Sequence, residues 1–292
     1  SLVSVGLVGF YLSRETEAAE WKAPEPLNPK RALETIEKLC SIGPRISGTP
    51  GMKAQQDWLQ QQFESTGGKI TWQEFAIRHP VDGAHYDTRP FPDMDRRNPR
   101  GKFLGANDGA SGPAFMIEMA HAFQKTPPRI GIDLVLFDAE ELVYDQDDRY
   151  FLGSEHFARM YVARDKGLPS YRFGVLVDMI ADKNLELYYE QNSFRFAPAL
   201  CQKIWGIASK MKMNAFVAKI GHPVRDDHLA LNEIAGIPSC DVIDFDYPSR
   251  GRRADLNYWH TTEDLPNKCS GESVCKVAAV LLQWIESESP RN

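Results

Sequence analysis

The stretch Gly131-Ile132-Asp133-Leu134-Val135-Leu136-Phe137-Asp138-Ala139-Glu140-Glu141 is a short apolar run that ends in adjacent acids. Gly131–Phe137 has the length and composition of a buried strand. A second such run, Phe173–Val177, ends in Asp178. Between them Gly153–Val162 is spaced as a helix. Strands Phe173–Met179, Leu185–Tyr189 and Ile237–Ile243 then alternate with helices over Phe196–Met211, Asp227–Ile234 and Ser273–Ile285. Before them come helices Pro29–Cys40, Met52–Phe63 and Ser111–Phe123, and an alternating strand, Lys69–Ile77. Apolar strands alternating with helices argue for an α/β fold whose sheet is covered on both faces. In such sheets sites collect outside the carboxyl ends of strands, where Glu140, Glu141 and Asp178 fall.

Glu140 and Glu141 leave a strand end in different directions, because side chains alternate. One can bind a metal while the other faces a substrate; a solvated acidic loop is the plain alternative. Asp108 lies in Gly105-Ala106-Asn107-Asp108-Gly109-Ala110-Ser111-Gly112, where small residues permit close backbone approach. Asp108 or Ser111 could equally cap the following helix. His260 is flanked by Trp259, Glu263 and Asp264, and a ligand histidine usually gives its second N–H to a carboxylate or carbonyl. As one of seven histidines it carries little weight alone. In Asp226-Asp227-His228, Asp227 is placed to cap the next helix, which leaves Asp226 to face a ligand. Hard oxygen donors with one or two imidazoles, His260 and His85, suit zinc. His85 is preceded by Arg78-His79-Pro80-Val81-Asp82-Gly83, which cannot form the buried strand that would deliver it to the same site.

The 292 residues are 42% hydrophobic and 25% charged, ordinary for one globular α/β domain. A net charge of −6 gives no footprint for nucleic acid, and Arg250, Arg252 and Arg253 read as a solvated loop. Five cysteines match no metal knuckle or C-x-x-C pattern. Cys201, Cys240 and Cys275 fall at buried positions of helix and strand patterns, and an odd count excludes complete internal pairing. The apolar run Leu2–Leu12 is shorter than the roughly 20 residues of a membrane span. It reads as the remainder of a signal peptide or of an N-terminal membrane anchor, against the alternative of a buried element. The expected organisation is residues 1–27 as that segment and a linker, and 28–292 as the domain, working outside the cytoplasm.

These segments resemble the M28 zinc aminopeptidase superfamily and, within it, the glutaminyl cyclases of bacterial and animal type. The resemblance spans about Ile42 to Ile285. It is carried by Gly43-Pro44-Arg45 with Gly48-Thr49, Ala84-His85-Tyr86-Asp87-Thr88-Arg89-Pro90-Phe91, Leu104–Gly112, Phe137–Glu141, Leu152-Gly153-Ser154, Val177-Asp178-Met179, Asp226-Asp227-His228, Gly236-Ile237-Pro238 and Trp259-His260-Thr261. It implies a three-layer α/β/α sandwich with a mixed, mostly parallel central sheet. It implies zinc on Asp108, Glu141 and His260, with Glu140 as proton carrier. In aminopeptidases two zinc ions recruit the positions of His85 and Asp178; in cyclases one zinc suffices, and Asp178 and Asp226 join a hydrogen-bond network around Glu140. Asp226 before Asp227-His228, Trp259 as a substrate-binding wall and the long Thr88–Phe103 segment favour the cyclase, acting on peptide or protein N-termini. The aminopeptidase and a non-catalytic ectodomain are the alternatives. Two departures stand out. Relatives carry a hairpin and strand between the equivalents of Gly83 and Ala84, and some cyclases a second pocket tryptophan where Glu141–Tyr150 offers only Tyr144 and Tyr150.

Overall fold

The computed structural model describes residues 21–75, 86–145, 147–247 and 257–289. The N-terminal run, His85 and the Arg250–Arg253 cluster lie outside them. Helix α1, Pro29–Ile42, starts where the Asn28 side chain accepts from the Lys30 and Arg31 amides at 3.0 and 3.2 Å. Pro29 takes the first turn, where its missing N–H costs nothing. Helices α2, Pro50–Ser65, and α3, Ser111–Lys125, follow, then α4, Leu152–Ala163. Strand β1, Gly174–Asp178, pairs in parallel with β4, Ser239–Ile243, and Leu176 stands opposite Asp241. Strand β2, Leu187–Tyr189, pairs in parallel with β3, Phe216–Ile220. Helices α5, Gln191–Phe196, α6, Pro198–Lys210, α7, His228–Glu233, and α8, Gly271–Glu288, complete the order.

Helices α1, α3 and α8 pack on one another, and α3 reaches β1; α7 meets both β1 and β4 and packs on α4. Their shared core includes Ile36, Leu39, Ile117, Ile204, Val274, Val277 and Val280, all buried. Each such side chain contributes about 1.5–3 kcal/mol by leaving water. Leu59 is buried, whereas Trp58 and Phe63 pack on the core from a half-buried position. Leu27 is buried too, and Trp21 and Ala23 pack against the same cluster. Glu118 of α3, fully buried, holds Arg31 of α1 through two bonds of 2.7 Å.

Several expectations are corrected. The helix foreseen over Phe196–Met211 is two, because Ala197 leaves helical geometry ahead of Pro198. Strand β3 is an addition; its pattern, with Lys219 in five residues, is too polar to announce itself. Gly131–Phe137 is not a strand. Ile130, Ile132, Leu134 and Leu136 still pack on the core with a period of two, but no ladder partner stands beside them among the described residues. Residues 69–75 likewise form no ladder, and the rest of that expected strand lies outside the described residues. Among the described residues the single mixed sheet therefore appears as two parallel pairs, with an antiparallel bridge joining Asp182 to Cys269. All five cysteines are free and buried.

Candidate metal centre

Three loops bring Asp108, Glu141 and His260 together. The first precedes α3. Gly109 holds φ at +100°, and a Cβ there would stand 2.4 Å from the Asp87 carbonyl oxygen. The buried Asp264 carboxylate accepts from the Asn107 and Asp108 amides at 2.8 and 3.0 Å. Burial, with Asp108 beside it, pushes the Asp264 carboxyl up to about 8. Arg45, also buried, donates to the Leu104 and Gly105 carbonyls at 2.7 and 3.0 Å, which explains the Gly43-Pro44-Arg45 motif. Ser111 does not cap α3. Its hydroxyl bonds the Asn107 carbonyl at 2.6 Å and accepts from the Ile180 amide at 3.3 Å, while Asn107 accepts from the Ala181 amide at 2.7 Å. The loop is thereby fastened to the carboxyl end of β1, where Asp178 stands.

The second loop carries Glu140 and Glu141. Phe151 and Leu152 donate their amides to the Glu140 and Ala139 carbonyls at 2.9 Å each. The third loop is fastened by the Tyr258 hydroxyl, which donates to Asp182, and by the Ser270 amide, which bonds the Ala181 carbonyl at 2.7 Å. Ala139, Phe151, Met179 and His260 all sit at positive φ, next to or within this site. Strained non-glycine backbone gathered at one place marks a functional constellation.

Nε2 of His260 lies 3.3 Å from Oδ2 of Asp108 and 3.2 Å from Oε2 of Glu141. Ligand atoms of all three lie within 4.8 Å of one another, and all three residues are buried. Burial opposes charge on the His260 ring, but its bonds to Asp108, Asp93 and Glu141 outweigh this and push its pKa up to about 10. Two buried carboxylates and an imidazole with converging ligand atoms form a donor set that would fit zinc.

The partner of the other His260 nitrogen is neither Glu263 nor Asp264. Asp93 takes it, with Oδ1 at 3.4 Å from Nδ1. Arg89 donates to Asp93 through Nε and an amino group at 2.9 and 3.0 Å. The Arg89 backbone amide donates to Glu141 Oε1 at 3.0 Å, and Nη1 reaches Oε2 at 3.4 Å. Burial works against the Asp93 charge, but the His260 and Arg89 bonds prevail and hold its carboxyl near 2. Sequence reading missed Asp93 and set Asp264 beside His260 rather than under the Asp108 loop, where its carboxylate binds the Asn107 and Asp108 amides; the signal for Arg89 was its place in the quoted Thr88-Arg89-Pro90 run.

The centre opens onto a cavity of about 370 Å³, lined also by Glu140, Asp178, Asp226, Tyr150, Arg225, Phe245 and Trp259. Trp259 stacks on His260 with ring centroids 3.8 Å apart and meets Phe245 edge-on at 5.4 Å. Tyr150 accepts from Arg89 at 3.4 Å, whereas Tyr144 is exposed and stands edge-on to Phe91. Asp226 is buried, and its Oδ1 accepts from the Asp227 amide at 2.6 Å. Asp227 occupies the cap position of α7, but its side chain makes no capping bond there. The site so assembled places Glu140, the Asp178 and Asp226 carboxylates and the Trp259 ring around one cavity beside the Asp108–Glu141–His260 group.

Residues 79–285 match the model of peptidase family M28. The crystal structure of Fimbriiglobus ruber glutaminyl cyclase is 41% identical, with a TM-score of 0.82 over 91% of this chain and 97% of that one. A leucine aminopeptidase precursor from Bacteroides thetaiotaomicron is 27% identical, with a TM-score of 0.79 over 91% and 99%. A glutaminyl-peptide cyclotransferase of Bos taurus is 36% identical over 96 residues, 28% of this chain and 25% of its own length. The chain spans less than two thirds of the length of the curated relatives it matches first.

Proposed function

The chain belongs to peptidase family M28, and from that premise we propose that it is a zinc-dependent glutaminyl-peptide cyclotransferase, converting an N-terminal glutamine to pyroglutamate with release of ammonia. The observation that carries this reading is the company Glu140 keeps: it shares its cavity with Asp178, Asp226 and with Trp259 stacked on His260. The higher identity to the Fimbriiglobus cyclase than to the Bacteroides aminopeptidase precursor supports it. Asp108, Glu141 and His260 would hold one zinc ion, which when bound polarises the γ-carboxamide carbonyl of the substrate. Glu140 takes a proton from the α-amine as the amine attacks the amide carbon, and returns it to the departing ammonia. Asp178 and Asp226 line the same cavity and join Glu140 in one carboxylate network. Trp259 packs on the glutamine stem and keeps water from competing. The catalytic domain is 28–292, and the apolar Leu2–Leu12 run supports work outside the cytoplasm; among the described residues no helix is long and apolar enough to cross a membrane.

The aminopeptidase reading keeps Glu140 but gives it a water to activate, and places a second zinc ion through Asp178 and His85. Ammonia release from Gln-initiated peptides, lost on chelation and in Glu140→Gln, tests the proposal. Release of the N-terminal residue from ordinary peptides with no ammonia would sink it.

A further inference from the structure

The cavity is lined by acids, yet two arginines line it as well, and they stand differently. Arg89 is buried and committed to Asp93 and Glu141. Arg225 is exposed. Among the described residues no carboxylate pairs with Arg225. What it meets is the ring of Phe151, with the guanidinium carbon 5.9 Å from the ring centroid. Its N–H donors are therefore left for a ligand.

The chain holds Arg225 where a ligand must pass. Its sequence neighbours Val224 and Asp226 are both buried. The Val224 amide donates to Glu190 Oε1 at 2.9 Å, and the Asn192 side chain donates to the Val224 carbonyl at 2.9 Å. Asp226 Oδ1 accepts from the Asp227 amide at 2.6 Å. The backbone on either side of Arg225 is thus fastened, while its own side chain leaves the wall toward solvent. The exposed members of the lining, Arg225, Pro223 and Met94 among them, mark the mouth of the cavity. Phe151 gives its amide to the Glu140 carbonyl at 2.9 Å, so the guanidinium rests by the ring of a residue tied to Glu140.

A peptide that enters amino end first buries its first residue and trails the rest of its chain past this mouth. A carboxylate close behind that first residue is repelled by Asp178 and Asp226 within and attracted by Arg225 at the rim. The planar guanidinium also matches a carboxylate in shape, through paired N–H donors. We infer that Arg225 is a specificity-determining residue that takes a substrate carboxylate just behind the N-terminal glutamine. That carboxylate is the side chain of an acidic second residue or the free C-terminus of a dipeptide. The inference rests on the proposed reaction for which end of the peptide enters; the contact itself is a matter of binding and is tested as such.

Two matched pairs of peptides separate the sources. Gln-Glu-Ala amide against Gln-Gln-Ala amide varies a side-chain carboxylate, and Gln-Ala against Gln-Ala amide varies the C-terminal one. Kd is measured by calorimetry on zinc-loaded Glu140→Gln, and kcat/KM on the zinc-loaded protein with Glu140 intact. In at least one pair the acid should be favoured over its neutral partner. Adding Arg225→Gln should cut that ratio about three- to tenfold in both measurements. Arg225→Glu should favour the neutral peptide of the same pair. Because each ratio is taken within one variant, a general loss of cavity shape cancels from it. The pair that responds identifies the source of the carboxylate. Ratios that Arg225→Gln leaves unchanged in both pairs would overturn the inference and make Arg225 a wall of the cavity only. Binding ratios that fall as stated, in a protein that releases no ammonia, would sink the cyclase reading and leave this one standing.

Discussion

Oδ1 of Asp93 lies 3.4 Å from Nδ1 of His260, on the side of the ring away from Asp108 and Glu141. Arg89 grips the same Asp93 and also Glu141, so a guanidinium ties two parts of the cation centre into one ring of contacts. Such outer partners orient the imidazole and raise its donor strength. Asp93→Ala should weaken zinc binding about 10–100-fold in competition with a chelator, with the far-ultraviolet dichroism of the folded chain preserved. Unchanged affinity would make Asp93 a bystander.

Glu140 is the proposed proton carrier, yet it is no part of the Asp108–Glu141–His260 group. Glu140→Gln should therefore keep its zinc while kcat falls about 10²–10⁴-fold. Loss of the metal along with activity would instead place Glu140 among the ligands.

At Gly109 the chain needs a left-handed backbone and has no room for a methyl group, since Asp87 O would be 2.4 Å away. Gly109→Ala should destabilise the fold by roughly 1–3 kcal/mol. Urea unfolding reads that cost, and zinc affinity should fall with it because Asp108 is the preceding residue. A midpoint equal to wild type would show that the loop relaxes freely.

Burial opposes ionisation of Glu190, but its bonds to His228, Ser193 and Val224 prevail and lower its carboxyl to about 2 from an ordinary 4.5. Because the folded value is depressed, the stability this contributes is complete above 4.5 and is lost as pH falls toward 2. The difference in urea midpoint between wild type and Glu190→Gln should therefore be largest near neutral pH and shrink through that window. A difference that grows on acidification would reverse the assignment.

Much of this was legible in the sequence because the signals are local. Proline after a capping residue at Asn28-Pro29, and an apolar run ended by an acid at Gly174–Asp178, each declare an element by themselves. Asp108, Glu141 and His260 were found through their motifs and do converge. Asp93 was not, and Asp264 was noted only for its nearness to His260, because a carboxylate that steadies a ligand looks like any surface acid until folding brings it across more than a hundred residues. Gly131–Phe137 failed as a strand for the opposite reason. Its composition is right, but pairing belongs to two segments and the sequence of one cannot supply its neighbour.

The central claim is that an N-terminal glutamine is cyclised rather than removed. Mass spectrometry of a Gln-initiated peptide incubated with the zinc-loaded protein addresses it directly. The account predicts an intact peptide lighter by the mass of one ammonia, with no product in Glu140→Gln. Free glutamine beside a peptide shortened by its first residue would contradict it.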